Sequence, residues 1–236
     1  MRVLDLSYHP LDVRSGRWVD LSRKGNHGTP YGGARPYMIA PGVMGFEFDG
    51  SNGYVACKYD RSLHFGVGES FTVSVWFKTD DTSHNQELVA SNTAAQPSYI
   101  LFLGTNLRLY WRLDDGPNLL NLQGSSNPFD DKWHNLVGTY NADTDIGEMY
   151  FDANLDASGK KALGSLVTTH DIWIGHTAYY FNGLIAQPII ENRAWSEAEV
   201  RENMYRSPIY RVLRGLPHSW IYTKVPWKQQ GGIYVP

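Results

Sequence analysis

The sequence predicts an all-β, antiparallel, two-sheet protein, and three observations carry that expectation. Helical apolar periodicity is almost absent along the 236 residues. Short runs rich in Val, Ile, Phe, Tyr and Trp recur instead, separated by clusters of Gly, Asn, Asp and Pro, as in sandwiches and barrels. Two of those runs alternate cleanly. In 71–77, Phe71, Val73, Val75 and Phe77 point one way and Thr72, Ser74 and Trp76 the other. In 107–113, Leu107, Leu109, Trp111 and Leu113 oppose Arg108, Tyr110 and Arg112.

In chain order the strand-like runs are Gly45–Phe48, Tyr54–Ala56, Phe71–Lys78, Glu87–Ser91, Tyr99–Gly104, Leu107–Leu113, Leu119–Gln123, Trp133–Tyr140, Glu148–Phe151, Ile172–Gly175 and Gly183–Glu191. Asn106 suits a tight turn between two antiparallel strands. The 143–147 segment suits a hairpin turn, since it lacks the register and distal Glu of a calcium-binding EF-hand loop. One short helix follows from Ser196 and Glu199, which have the spacing of a capping box, with Val200, Met204 and Tyr205 on its inner face. Residues 1–206 form the expected sandwich. Residues 207–236 mix Pro and Gly breaks with Tyr210, Leu213, Trp220, Tyr222, Trp227 and Tyr234, and suggest an extended arm that must pack on its own domain or on a neighbour.

Composition narrows the function. The net charge is −3 with no basic block, which argues against a nucleic-acid binder. No apolar run is long enough to span a bilayer, so membrane insertion is not expected. The first residues lack the apolar core of a signal peptide, there is no N-x-[ST] sequon, and the lone Cys57 cannot pair within the chain. Aromatic residues reach 14%, enough to supply both a core and flat binding surfaces.

Specific runs then carry a resemblance. Residues 48–55 (Phe-Asp-Gly-Ser-Asn-Gly-Tyr-Val), 71–78, 133–140, 149–152, 172–175 and 181–185 are similar to successive strands of the laminin-G-like, concanavalin A-like jelly roll. Residues 192–200 resemble its exit into a short helix, and 19–28 resemble its opening loop. The match covers roughly residues 4–206. It implies a jelly-roll sandwich, with Trp76 and Trp133 expected to fill the space between the sheets. The helix, Tyr205-Arg-Ser-Pro208 and the basic, aromatic tail are also similar to the ending of laminin-G-like proteins found in tailed bacteriophages.

Some concanavalin-like proteins are glucanases, which need paired carboxylates. The nearest match to their Glu-x-Asp-x-x-Glu pattern is Glu47 and Asp49, but the third position is Asn52, so no catalytic residue is assigned and no enzyme is expected. The eight His lack metal-ligand spacing, and Cys57 with His64 suits a core thiol better than a nucleophile and base. No cofactor is required. The resemblance implies a structural calcium at Asp20, Gly25 and Asn26, although Ala186-Gln187 stand where many relatives carry an acidic pair. For glycans, the candidate contacts are Trp111, Asp114, Tyr179 and Tyr180. The first functional reading is therefore a non-catalytic virion structural protein (capsid decoration, neck, or tail- or fibre-associated), assembled in the host cytoplasm. Its partners would be other virion proteins or its own copies through the arm, and a host surface glycan. A lectin or adhesion module at a cell surface comes second, and a glycoside hydrolase third.

Overall fold

The computed structural model describes residues 1–6, 16–91 and 99–216. In chain order the strands are β1 (Arg2–Asp5), β2 (Gly28–Tyr31), β3 (Arg35–Ala40), β4 (Val43–Asp49), β5 (Tyr54–Cys57), β6 (Phe71–Lys78), β7 (Gln86–Ser91), β8 (Tyr99–Gly104), β9 (Arg108–Asp114), β10 (Leu119–Gln123), β11 (His134–Asn141), β12 (Ile146–Phe151), β13 (Asn154–Lys160), β14 (Ile172–Ile174) and β15 (Asn182–Glu191). Two helices follow, α1 (Glu197–Arg206) and α2 (Pro208–Leu213). One sheet runs β13-β12-β11-β6-β15-β4-β3, with β1 also paired to β15; the other runs β10-β9-β8-β7-β14-β5-β2. All pairings are antiparallel, and the two sheets make the expected jelly-roll sandwich.

The alternation in 71–77 sets the inner face as expected. Phe71, Val73, Val75 and Phe77 are fully buried in the core between the sheets. From the opposite sheet, Trp111 enters that core, its indole N–H donating to the Thr139 carbonyl at 3.1 Å. The placement expected for Trp76 and Trp133 is corrected. Both join a second apolar cluster on the outer face of the eight-stranded sheet, where Trp76 packs with Val137, Trp195, Val200, Met204 and Ile209. Trp76 had to point outward, because Val75 and Phe77 on either side of it point inward.

The helices roof that second cluster. The capping box at Ser196 and Glu199 forms, and Val200 and Met204 are buried, but Tyr205 is exposed. The expected arm begins differently. Ser207 caps a further helical turn with Pro208 at its start, a position where the missing proline N–H costs nothing. Ile209 is fully buried and Tyr210 packs partly against the cluster, whereas Leu213 is exposed. Trp220, Tyr222, Trp227 and Tyr234 lie outside the described residues.

Leu107 is also corrected. It takes the left-handed conformation (φ 62°) at the end of the β8–β9 turn and is exposed, so the alternating face starts at Leu109. Strand β15 changes partners along its length, pairing with β4 through residues 182–185 and with β1 through 189–191. The bulge between them holds Gln187 at φ 49°, and its side chain accepts a hydrogen bond from the Ser207 hydroxyl. That bond ties α2 to the sheet.

His134 clamps one corner of this sheet. Its Nδ1 lies 2.7 Å from Asp152 and its Nε2 2.9 Å from Asp130. Burial alone lowers the imidazole's proton affinity, but the two carboxylates outweigh it and the net shift is upward. A histidine raised in the folded state contributes stability fully below its unfolded value near 6.5 and loses it as pH rises through the folded value. The stability difference between the parent chain and His134→Gln, measured by urea unfolding, is therefore expected to be largest below pH 6.5 and to shrink above it. A difference constant across pH 5–9 sinks this account.

Candidate functional site

The outer face of the seven-stranded sheet is laid out by strand alternation. Ile172 and Ile174 point into the core, so Trp173 between them points out. Tyr31 on β2 is in register with Tyr54 on β5, and their rings stack at 4.9 Å. Tyr54 meets Trp173 at 5.0 Å, Trp173 meets His176 at 4.9 Å, and His176 stacks on Tyr180 at 3.8 Å. Five aromatic rings thus form one continuous row. The rings cover one another's faces along the row, and the His176 Nδ1 is buried with no hydrogen-bond partner among the described residues. The hydroxyls of Tyr31, Tyr54 and Tyr180 and the Trp173 indole N–H make no hydrogen bond among the described residues.

The loop carrying His176 and Tyr180 is held before any ligand arrives. It starts at Gly175, whose φ of +82° and close approach to Phe48 (2.5 Å from where a Cβ would stand) leave no room for a side chain. The buried Glu87 carboxylate then accepts from the Thr177 hydroxyl (2.6 Å) and the N–H groups of Thr177, Ala178 and Tyr179. His84 contacts the Tyr180 carbonyl at 2.8 Å, and Gln86 accepts from the Asn182 N–H at 2.9 Å. Burial lowers the proton affinity of His176 despite the nearby Glu87 charge, so its ring favours the neutral form within the stack. At the far end Lys58 pairs with Asp171 at 3.0 Å, and Asp171 also accepts from the Tyr59 N–H.

The sequence-based candidates scatter. Tyr180 belongs to the row, and Tyr179 beside it is exposed. Trp111 is corrected: it is fully buried and faces the core, so no ligand in solvent reaches it. Asp114 is corrected too, for its buried carboxylate accepts from Arg112 (2.8 Å) and the Gly116 N–H (2.9 Å), which fixes the turn. Tyr31, Tyr54, Trp173 and His176 were missed. The Ile-Trp-Ile alternation at 172–174 was the available signal for an outward Trp173.

Asp20, Gly25 and Asn26 do not fit a calcium ion. Asp20 accepts on Oδ1 from the N–H groups of Asp5 and Ser22, and on Oδ2 from the Ser22 hydroxyl and the Asn26 N–H, at 2.7–2.9 Å. Asn26 directs its amide nitrogen to the Val3 carbonyl (2.7 Å), and the Gly25 carbonyl accepts from His27. Calcium needs oxygens with lone pairs to spare, and this carboxylate is closed by donors. Its role is to fasten the opening loop to β1. Among the described residues no group of three or more His, Cys, Asp or Glu is placed to hold a metal.

Glu47 and Asp49 are likewise structural. Glu47 pairs with Arg35 at 2.7 Å on the surface. Burial opposes ionisation of Asp49, but N–H groups of Asn52, Ser51 and Gly53 hold its carboxyl far below the usual range, as suits the turn before Gly50. The Cys57 thiol is pushed up by burial and is no thiolate nucleophile at neutral pH. Two concavities elsewhere, of about 230 and 320 Å³, carry ion pairs on their walls, Arg193 with Glu191 and Glu199 in one and Arg61 with Glu69 in the other.

Solved structures share the fold. The binding domain of Paraclostridial Mosquitocidal Protein 1 superposes with a TM-score of 0.71 at 18% identity, covering 87% of this chain and 52% of that one. The binding domain of botulinum neurotoxin serotype G gives 0.67 at 16% identity, covering 88% and 51%. A structure of botulinum neurotoxin type C, a toxin whose cell entry is described as dependent upon interaction with two ganglioside molecules, gives 0.66 at 15% identity, covering 86% and 50%. The chain therefore spans about half the length of these structures. No curated protein matches the sequence. The profile of the concanavalin A-like lectin/glucanases superfamily matches residues 49–201, well over half of the sequence, and the chain belongs to that superfamily.

Proposed function

We propose that this chain is a non-catalytic binding module that takes a glycan on the outer face of its seven-stranded sheet. The observation that carries this reading is the row from Tyr31 to Tyr180, with its polar tips left open among the described residues. A sugar offers hydroxyls that both donate and accept and C–H faces that rest against rings, and this row presents matching groups. Because Glu87 and His84 hold the loop in place, little ordering entropy opposes binding. The likeness to toxin binding domains, and to a toxin whose cell entry is described as dependent upon two ganglioside molecules, supports the same class of ligand. Against hydrolysis stands the structural use of Glu47 and Asp49.

Titration of the full chain with a glycan panel tests this. Trp173→Ala is expected to weaken any bound glycan at least about tenfold, a loss of about 1.4 kcal/mol or more, with the fold intact by circular dichroism. A glycan bound equally by parent and variant removes the site from this face.

A second reading makes the module part of a virion. It draws on the phage-like ending after Tyr205 and on the apolar surface left by Tyr205, Leu213 and Leu216, each more than 40% exposed. In that reading the C-terminal segment joins the module to other virion proteins or to its own copies.

A further inference from the structure

We infer that the aromatic row opens in acid and releases its ligand there, with His176 as the group that takes the proton. The inference rests on the glycan reading and adds a regulation of that same site. His176 stacks on Trp173 at 4.9 Å and on Tyr180 at 3.8 Å, with planes 21° and 8° apart. A neutral imidazole carries one N–H, and the charged ring must carry a proton on both nitrogens. Nδ1 is buried and has no hydrogen-bond partner among the described residues. An N–H lies in the plane of its ring, so an Nδ1–H in this near-parallel stack donates to neither neighbouring face. The charged ring thus keeps a buried donor unpaired as long as it stays in the row.

The groups around the ring do not reverse this. Burial has the largest influence and lowers its proton affinity, while the Glu87 charge and the Tyr179 backbone pull the other way and are outweighed. The Glu87 carboxylate already accepts from Thr177, Ala178 and Tyr179. On the β5 side Tyr54 stands 5.7 Å away, and beyond it Lys58 and Asp171 pair with each other. His84, 3.9 Å from Asp81, meets the Tyr180 carbonyl through Nε2, and its protonation keeps a donor there. The sign follows. A proton affinity held below the ordinary value near 6.5 favours the closed stack above that pH. The preference weakens as pH falls, by up to about tenfold per pH unit for one proton. A protonated His176 finds water only by leaving the stack. That exit uncovers Tyr180 and Trp173 and pulls on the three N–H groups seated on Glu87.

The first test needs no ligand. It is amide hydrogen exchange of the full chain followed by NMR, expressed as protection factors so that the pH dependence of exchange itself cancels. Protection of the Thr177, Ala178 and Tyr179 amides is expected to fall at least about fivefold between pH 7.5 and 5.5 in the parent chain. In His176→Phe, which keeps a flat ring that takes no proton, it is expected to stay level, and His176→Gln is a second variant that takes no proton. The His134 clamp gains strength as pH falls, so it is not the source of such a loss. A glycan that binds the parent at pH 7.5 is then expected to bind severalfold more weakly at pH 5.5. For His176→Phe the ratio of the two affinities is expected to be near one, whatever its affinity at pH 7.5. Level protection in the parent, an equal fall in both variants, or a glycan bound equally at both pH values by the parent overturns the inference. A fall in protection confined to the parent, with no glycan bound at either pH, supports the acid opening of the loop and overturns the glycan reading instead.

Discussion

Replacing Trp111 with alanine is expected to lower the unfolding free energy by about 3–5 kcal/mol, the cost of truncating a large aromatic side chain in a core that cannot close over the void. The side chain is fully buried, and it links the two sheets, sitting on β9 while donating to a carbonyl of β11. Phe71 meets it edge-on at 5.8 Å, and Tyr99 lies at 6.3 Å. The opposite sheet is cut to receive it. A Cβ on Gly138 would stand 2.5 Å from the indole, so Gly138→Ala is expected to destabilise through the same contact. For a domain held by roughly 5–15 kcal/mol, the tryptophan loss is a large share. Urea unfolding followed by far-ultraviolet circular dichroism measures it. A loss under about 1 kcal/mol contradicts the core assignment and returns Trp111 to the list of ligand contacts.

Trp111 also shows what the sequence could and could not disclose. Its strand was legible, since Leu109, Trp111 and Leu113 share a face and all three are buried. That face is the core face, so the same alternation which located the strand excluded Trp111 from a surface site. Trp173 is the converse, an aromatic flanked by core isoleucines, and the period-2 rule places it outside. The strands that went unread are β1, β2, β3 and β13. Each of the last three is an edge strand with one neighbour, and β2 and β3 contain Pro30 and Pro36. Edge strands need no apolar face and tolerate proline, so their pattern is weak. The aromatic row was hidden for a different reason. Tyr31, Tyr54 and Trp173 are far apart in the chain and meet only because β2, β5 and β14 are neighbours in the sheet. Register of that kind comes from tertiary pairing and not from local sequence.

The two outer faces of the sandwich have divergent fates, and the divergence has a physical origin. On the eight-stranded sheet the outward residues include Trp76, Val137 and Ile189, too apolar to face water, and α1 and α2 cover them. On the seven-stranded sheet the outward residues include tyrosines, a histidine, Arg108 and Gln123, amphipathic or polar groups that remain stable while half exposed. The roof is therefore part of the fold, and the open face is where a ligand has room.

That distinction sets the expected result of two truncations. A chain ending at Ser207 loses Ile209, which is fully buried in the second cluster, and exposes part of Trp76, Trp195 and their neighbours. Removal of one buried isoleucine costs about 2–5 kcal/mol. The Ser207 hydroxyl also loses the Ile209 N–H that it accepts, at 3.1 Å, and with it part of the hold on the Gln187 bulge. A chain ending at Leu216 keeps α2 and every one of these contacts, so its urea midpoint is expected to match that of the full chain. If instead the chain ending at Ser207 is as stable as the longer one, α2 is an ornament and the second cluster closes without it. The chain ending at Leu216 then serves a second purpose, because it removes residues 217–236 and keeps α1 and α2. Its mass by light scattering, set against that of the full chain, separates assembly from folding. An oligomer that becomes a monomer on this cut, at unchanged stability, supports the virion reading of the C-terminal segment. Equal masses leave the module acting through its open face alone.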